Sequence, residues 1–235
     1  YTKRVTDKTA ELVKPSAAHP VNYAPARPRA SAASAARTGT AKRCIDIIGA
    51  GIGLALIAPV APLLAAAIKL ETRGPVLVRL ARVSGGKTVH VYKFRSMIDG
   101  AHALKPALAP YNERRDGPFF KMKRDPRLTR VGRLIRKFRL DEFPQLINVL
   151  TGDLSLVGPR PHEAEEMAHY PNEYRHLAFA KAGVTGLSQV SGASRLPFLK
   201  ELELDTHYVR NQTLLLDAKI LLKTIAILFF DPTAV

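Results

Sequence analysis

The stretch "IIGAGIGLALIAPVAPLLAAAI", residues 47–68, runs for 22 residues without a charge. As one straight helix it would reach about 33 Å, enough to cross the hydrocarbon core of a bilayer. Pro59 and Pro62 stand near its middle, where each lacks an amide proton and crowds the preceding turn. They remove the helical bonds to the carbonyls of Ala55 and Ala58, which supplies a place to bend. Lys42 and Arg43 precede the stretch, and Lys69 and Arg73 follow it. Short basic flanks favour the cytoplasmic side of a membrane, so a simple span would strand one of them. The pattern fits a re-entrant helix–break–helix hairpin over residues 41–73, with Pro59 and Pro62 as its bend, better than the alternative of a kinked span.

Residues 1–40 are rich in Ala, Pro, Ser and Arg and lack hydrophobic periodicity. Such a composition buries too little apolar surface to offset its ordering entropy, so a disordered basic tail is expected, or the end of a linker from a longer protein. Downstream, "GPVLVRLARV" and "KTVHVYKF" alternate with period two and meet at Ser84-Gly85-Gly86, which predicts a β-hairpin. Past Asp99 the pattern is mostly helical, divided by Gly117-Pro118, Gly158-Pro159 and later glycines. The last apolar run, "LLLDAKILLKTIAILFF", suits either a core helix or one lying along a membrane surface. The expected fold is α+β and mainly α: the membrane hairpin, a small β-hairpin, and a compact helical domain over 74–235 with interfacial amphipathic helices.

The net charge of +16 calls for an anionic partner, whether nucleic acid, anionic lipid or a phosphorylated substrate. Nine cations against two acids lie in the first 43 residues, so more than half of the excess belongs to the body. One cysteine, Cys44, excludes an intrachain disulfide and fits a reducing compartment.

The densest chemistry lies between Lys121 and Arg160. Arg130, Arg133 and Lys137 recur at i, i+3 and i+7, one face of a helix, with Arg136 beside that stripe. Asp141 and Glu142 follow, and Pro144 marks the start of a further helix whose positive end would receive the carboxylates. Three readings are open for an acid pair ringed by arginine. It can be a capped helix with surface ion pairs. It can belong to a nucleic-acid face, although adjacent acids oppose a polyanion and stacking aromatics are not interleaved with the basic stripe. It can serve phosphoryl transfer, with carboxylates holding Mg²⁺ or attacking phosphorus while arginine forks neutralise phosphate oxygens. Asp125 and Arg127 of "DPR" are expected to hold a loop beside the site, and Asp153 to form a turn. His162, His169 and His176 recur every seven residues and are expected on solvated helix faces.

In order, "KRCID", "GPV", "YKFRSM", "DPRLTRVGRLIRKFRLDEFPQLINVLTGDLSLVGPRP" and "AGVTGLSQVSG" resemble the bacterial sugar transferase family, the monotopic phosphoglycosyl transferases. The resemblance covers about residues 41–224. It implies transfer of a sugar 1-phosphate, expected to be glucose or galactose, from a UDP-sugar to undecaprenyl phosphate with release of UMP, which initiates exopolysaccharide assembly. It further implies Asp141 as nucleophile through a phosphosugar-aspartate, and Glu142 as the second acid, both handling Mg²⁺. Arg136 and Arg160 match phosphate-contacting arginines, and Lys93 and Arg95 are weaker matches to the same role. The implied location is the cytoplasmic face of the bacterial inner membrane, among its lipids. No nucleic acid is implied, and a homodimer is compatible but not required. Ser188 stands where family members often carry Trp, Ala193 where they carry Arg, and Ala58 where a Ser commonly precedes the membrane proline. The competing reading is a non-enzymatic, basic membrane-anchored binding protein.

Overall fold

The computed structural model describes residues 32–192 and 195–230, so the tail up to residue 31 and Ala193 lie outside the described residues. Helix α1 (Ala32–Ile57) begins inside the stretch expected to be tail and runs into the apolar segment. Helix α2 (Ala61–Glu71) completes that segment, with Pro62 in its first turn, where a missing amide proton costs nothing. The two are bent by 60°, so their arms enclose 120°: an open wedge rather than an antiparallel hairpin. No single helix among the described residues is long and apolar enough to cross a membrane; only this bent pair is, taken together.

The body fills the concave side of the wedge. Ile57 and Ile68 pack with Phe94 and Ile135, while Ile48, Ile52, Leu56 and Leu63 on the outer side are exposed at 58–70%. Polar contacts fix α1 where it meets the body. The Arg43 guanidinium donates to the carbonyls of Val149 and Leu150, and the Asp46 carboxylate accepts from the Ser155 hydroxyl and the Leu156 amide. Lys42 Nζ reaches Asp217 Oδ2 at 2.7 Å and donates to the Val157 carbonyl at 3.0 Å.

Strands β1 (Leu77–Ser84) and β2 (Lys87–Phe94) form the expected antiparallel hairpin, with Leu77 opposite Phe94 and Ser84 opposite Lys87. Gly85 and Gly86 have φ of +60° and +77°, the two left-handed positions of a tight turn that matches strand twist. After short helical turns that include α3 (Lys105–Leu108), the chain makes α4 (Arg130–Lys137) and α5 (Gln145–Thr151). Strand β3 (Ser155–Val157) pairs in parallel with β4 (Gly183–Thr185), flanking α6 (Ala164–Ala168). This pair was not expected, because three-residue strands leave no alternation to read. Helices α7 (Leu187–Val190), α8 (Phe198–Arg210) and α9 (Leu214–Phe230) close the domain. Helix α9 packs on the body through one side: Asp217 and Ile220 are buried, whereas Leu215, Leu222 and Ile225 are exposed.

Candidate active site

Helix α4 begins where Thr129 accepts a hydrogen bond from the Gly132 amide, an N-cap that the sequence encodes locally. A second cap comes from far away. The Glu71 carboxylate, at the end of α2, accepts from the Arg130 and Val131 amides at 2.6 and 2.8 Å. Burial raises the Glu71 pKa, but these bonds outweigh it and hold the group below the ordinary value. At the other end of α4, Arg139 has φ of +54°, the left-handed region, and is the sole non-glycine residue with positive φ among the described residues. That reversal ends α4 and starts the single 3₁₀ turn Leu140–Glu142, which carries both carboxylates.

Asp141 is 8% exposed. Lys93, from β2, sits between the acids, its Nζ 2.6 Å from Glu142 Oε1 and 3.9 Å from Asp141 Oδ2. Burial pushes the Asp141 pKa up, Lys93 offsets this in part, and the neighbouring Glu142 charge adds to the rise. Burial acts on Glu142 in the same direction, but Lys93 and then Arg160 prevail and bring it down to about 2. Of the two acids, Asp141 therefore keeps its proton to higher pH.

The basic residues divide. Arg136 turns inward, donating from Nε to Ser96 Oγ at 2.9 Å, and its charge acts on Asp141. Arg130, Arg133 and Lys137, the stripe the spacing picked out, are exposed, whereas Arg136 at its border is half-buried. Arg160 is exposed and joins Glu142, Lys93 and Arg136 around a cavity of about 530 Å³. Arg95 also borders the cavity, yet it is 3% exposed and its terminal nitrogens donate to the Thr72 and Arg73 carbonyls at 2.8 and 2.6 Å. Its guanidinium thus ties the hairpin to the end of the wedge.

Asp125 and Arg127 form a buried two-pronged pair at 2.6 and 2.9 Å, with Arg127 also donating to the Ala101 carbonyl, as expected of a loop brace. Asp153 accepts from Thr151 in the turn after α5, away from the carboxylates. His162 departs from expectation. It is 7% exposed, stacked on Phe119 at 4.4 Å, and 3.6 Å from Glu166; the seven-residue spacing could not reveal this, because residues 161–163 are not helical. The Asp205 carboxylate, 2% exposed on α8, accepts from the Arg160 amide over a long 3.4 Å and also from the Ser188 hydroxyl. Burial pushes its pKa up to about 7. Neither Asp205 nor the Glu71 cap is legible in the sequence, because both act on residues 45 to 60 positions away. Ser96 was within reach, since it lies in "YKFRSM".

Among the described residues, no group of three His, Cys, Asp or Glu side chains could hold a metal ion. Asp141 and Glu142 alone match a different donor set, that of Mg²⁺ bound by one or two carboxylates and completed by substrate phosphate and water.

A profile of the bacterial sugar transferase family matches residues 37–231. The chain is 39% identical over 196 residues to the galactosyl transferase CpsE of Streptococcus agalactiae, covering 83% of this chain and 43% of that protein. It is 46% identical over 155 residues to the undecaprenyl-phosphate galactose phosphotransferase of Salmonella typhimurium, covering 64% of this chain and 33% of that protein. To the UDP-glucose:undecaprenyl-phosphate glucose-1-phosphate transferase of Caulobacter vibrioides it is 38% identical over 195 residues, 78% of this chain and 68% of the relative. The chain thus spans less than half the length of the first two relatives.

Proposed function

Because this chain belongs to the bacterial sugar transferase family, we propose that it moves a hexose 1-phosphate, from UDP-glucose or UDP-galactose, to undecaprenyl phosphate and releases UMP in the first step of exopolysaccharide assembly. The observation that carries this reading is the Asp141–Lys93–Glu142 cluster, whose Lys93 and Glu142 line a cavity together with Arg136 and Arg160. A diphosphate brings negative charge into a pocket that already holds two acids, and these cations offset it. A capped surface helix would not need a lysine drawn from another element between its carboxylates.

In this reading an Asp141 oxygen attacks the sugar-bearing phosphorus. The bond from that phosphorus to the bridging oxygen breaks, and the electron pair leaves with UMP. An oxygen of undecaprenyl phosphate then attacks the same phosphorus and frees the aspartate. Lys93 favours the ionised, nucleophilic form of Asp141 against the cost of burial and orients Glu142, while Arg136 and Arg160 hold phosphate oxygens. Mg²⁺ held by Asp141 and Glu142 would supply charge neutralisation at the diphosphate.

The apolar outer side of the bent pair supports reading it as a membrane wedge beside this chemistry. Both arms pack on one body, α1 against α5 and β3, and α2 against α4, which favours re-entry with both flanks on the cytoplasmic face over a span. An angle of 120° keeps the apex shallow, where a soluble UDP-sugar meets a lipid phosphate at the headgroup plane.

The test is UMP release by the protein in nanodiscs with undecaprenyl phosphate, Mg²⁺ and UDP-glucose, UDP-galactose or UDP-N-acetylgalactosamine. UMP is expected with a hexose donor and not from Asp141→Asn. With donor alone, intact mass is expected to rise by one hexose phosphate. Release of UDP, or full activity in Asp141→Asn, would refute the mechanism; no UMP from any donor would favour a binding protein.

A further inference from the structure

Helix α4 has two working faces. Its inner face buries Gly132 and Ile135 and delivers Arg136 to Ser96. Its outer face carries Arg130, Arg133 and Lys137, all exposed, together with Leu134 and Phe138, exposed at 57% and 47% and one helical turn apart. Lys137 Nζ lies 5.8 Å from the Phe138 ring. Among the described residues no ion pair holds Arg133 or Lys137, and Glu71, whose charge Arg130 feels, is committed to the first amides of the helix. That contact also fixes where the face lies. Helix α4 starts at the end of the wedge, and Leu70, one residue before Glu71, is 88% exposed.

We propose that the outer face of α4 binds the headgroups of anionic phospholipids, with Arg130, Arg133 and Lys137 on phosphates and Leu134 and Phe138 at the acyl boundary. Exposed cations beside exposed apolar side chains are matched by a layer of phosphate over hydrocarbon, where long basic side chains reach outward from an apolar footing. A nucleic acid would match the cations but leave Leu134 and Phe138 in water. A second copy of this chain would bring the same positive face against itself. The inference rests on reading the bent pair as a membrane wedge, whose exposed side continues through Leu70 to this helix. Because Arg136 belongs to the same turns and borders this face, lipid bound outside would set the height of the phosphate site inside.

The chain contains no tryptophan, so Phe138→Trp creates a unique fluorophore on the outer face and Leu56→Trp another on the wedge. Each full-length variant is reconstituted in nanodiscs doped with brominated phosphatidylglycerol or brominated phosphatidylcholine, and quenching is followed against mole fraction. For Phe138→Trp, half-maximal quenching is expected at a phosphatidylglycerol fraction at least about fivefold below that for phosphatidylcholine, the factor that one basic residue at an anionic surface supplies. The preference is expected to vanish in Arg130→Gln/Arg133→Gln/Lys137→Gln on the Phe138→Trp background. High salt should likewise remove it from the Phe138→Trp chain, whose cations are intact. Equal quenching by both lipids, or a preference that survives loss of the three cations, overturns the proposal. Quenching of Leu56→Trp without any of Phe138→Trp overturns it while sparing the wedge. If neither is quenched, the wedge reading itself fails, and this inference with it.

Discussion

Asparagine at position 205 isolates the cost of the ionised group beneath the Arg160 loop. Burial moves the Asp205 pKa from an ordinary 3.8 to about 7, so between roughly pH 4 and pH 7 the folded protein keeps a proton that the unfolded chain has released. In that window the folded state binds more protons, and stability falls as pH rises. Below about pH 4 both states are protonated and the contribution is fully favourable; above about pH 7 both are ionised and the whole cost is present. Three pH units at about 1.4 kcal/mol each amount to about 4 kcal/mol. The amide in Asp205→Asn keeps an acceptor oxygen for the Arg160 amide and the Ser188 hydroxyl but never ionises. Thermal unfolding of both proteins in the same detergent, followed by circular dichroism from pH 5 to pH 8, reads the difference. The melting-temperature gap in favour of Asp205→Asn is expected to widen with pH by about 6–12 °C, from about 3 kcal/mol over that range. A gap that stays constant, or widens towards acid, would show that Asp205 does not carry this proton.

Glu71→Gln weakens the cap that α2 places on α4; a loss of about 1–2 kcal/mol is expected, seen as a lower melting temperature, and the Glu71-dependent stability should fade as acid protonates the carboxylate. Gly132→Ala is expected to cost about 3 kcal/mol and most of the UMP-forming activity, because a Cβ there would overlap the Ser96 carbonyl oxygen and push α4, with Arg136, off the hairpin; unchanged unfolding and turnover would contradict that packing. Chelation of Mg²⁺ should abolish UMP formation while leaving the far-ultraviolet circular dichroism spectrum intact, because among the described residues no group of three His, Cys, Asp or Glu side chains offers a structural metal site; unfolding on chelation would assign the ion a structural role.

The features legible in the sequence are those decided by neighbours in the chain. Paired glycines between alternating runs predict the β1–β2 hairpin, although Ser84, read as part of the turn, is the last residue of β1 and pairs with Lys87. Two prolines predict the break after Ile57, and Pro144 predicts a helix just past the carboxylates, which begins at Gln145. What stayed hidden depends on partners far along the chain. Helical spacing grouped Arg130, Arg133 and Lys137 but could not say that these are exposed while Arg136 is half-buried against Ser96. Arg95 reads as a cation in a motif, whereas carbonyls more than 20 residues upstream engage its guanidinium. His162 reads as a solvated residue until Phe119 and Glu166 close around it. The open 120° wedge, too, follows from the body packed into its concave side rather than from the prolines alone.

The anchor of α1 has a consequence for how the chain matures. Lys42 is fastened by Tyr208 and Asp217, which follow it by 166 and 175 residues. At about 5–20 residues per second of synthesis, its partners arrive roughly 10–35 s after Lys42 itself. Throughout that interval the 22-residue apolar stretch exists without the helices that lock its base. The base of α1 is therefore closed only once α8 and α9, made later than the apolar stretch, have joined the body.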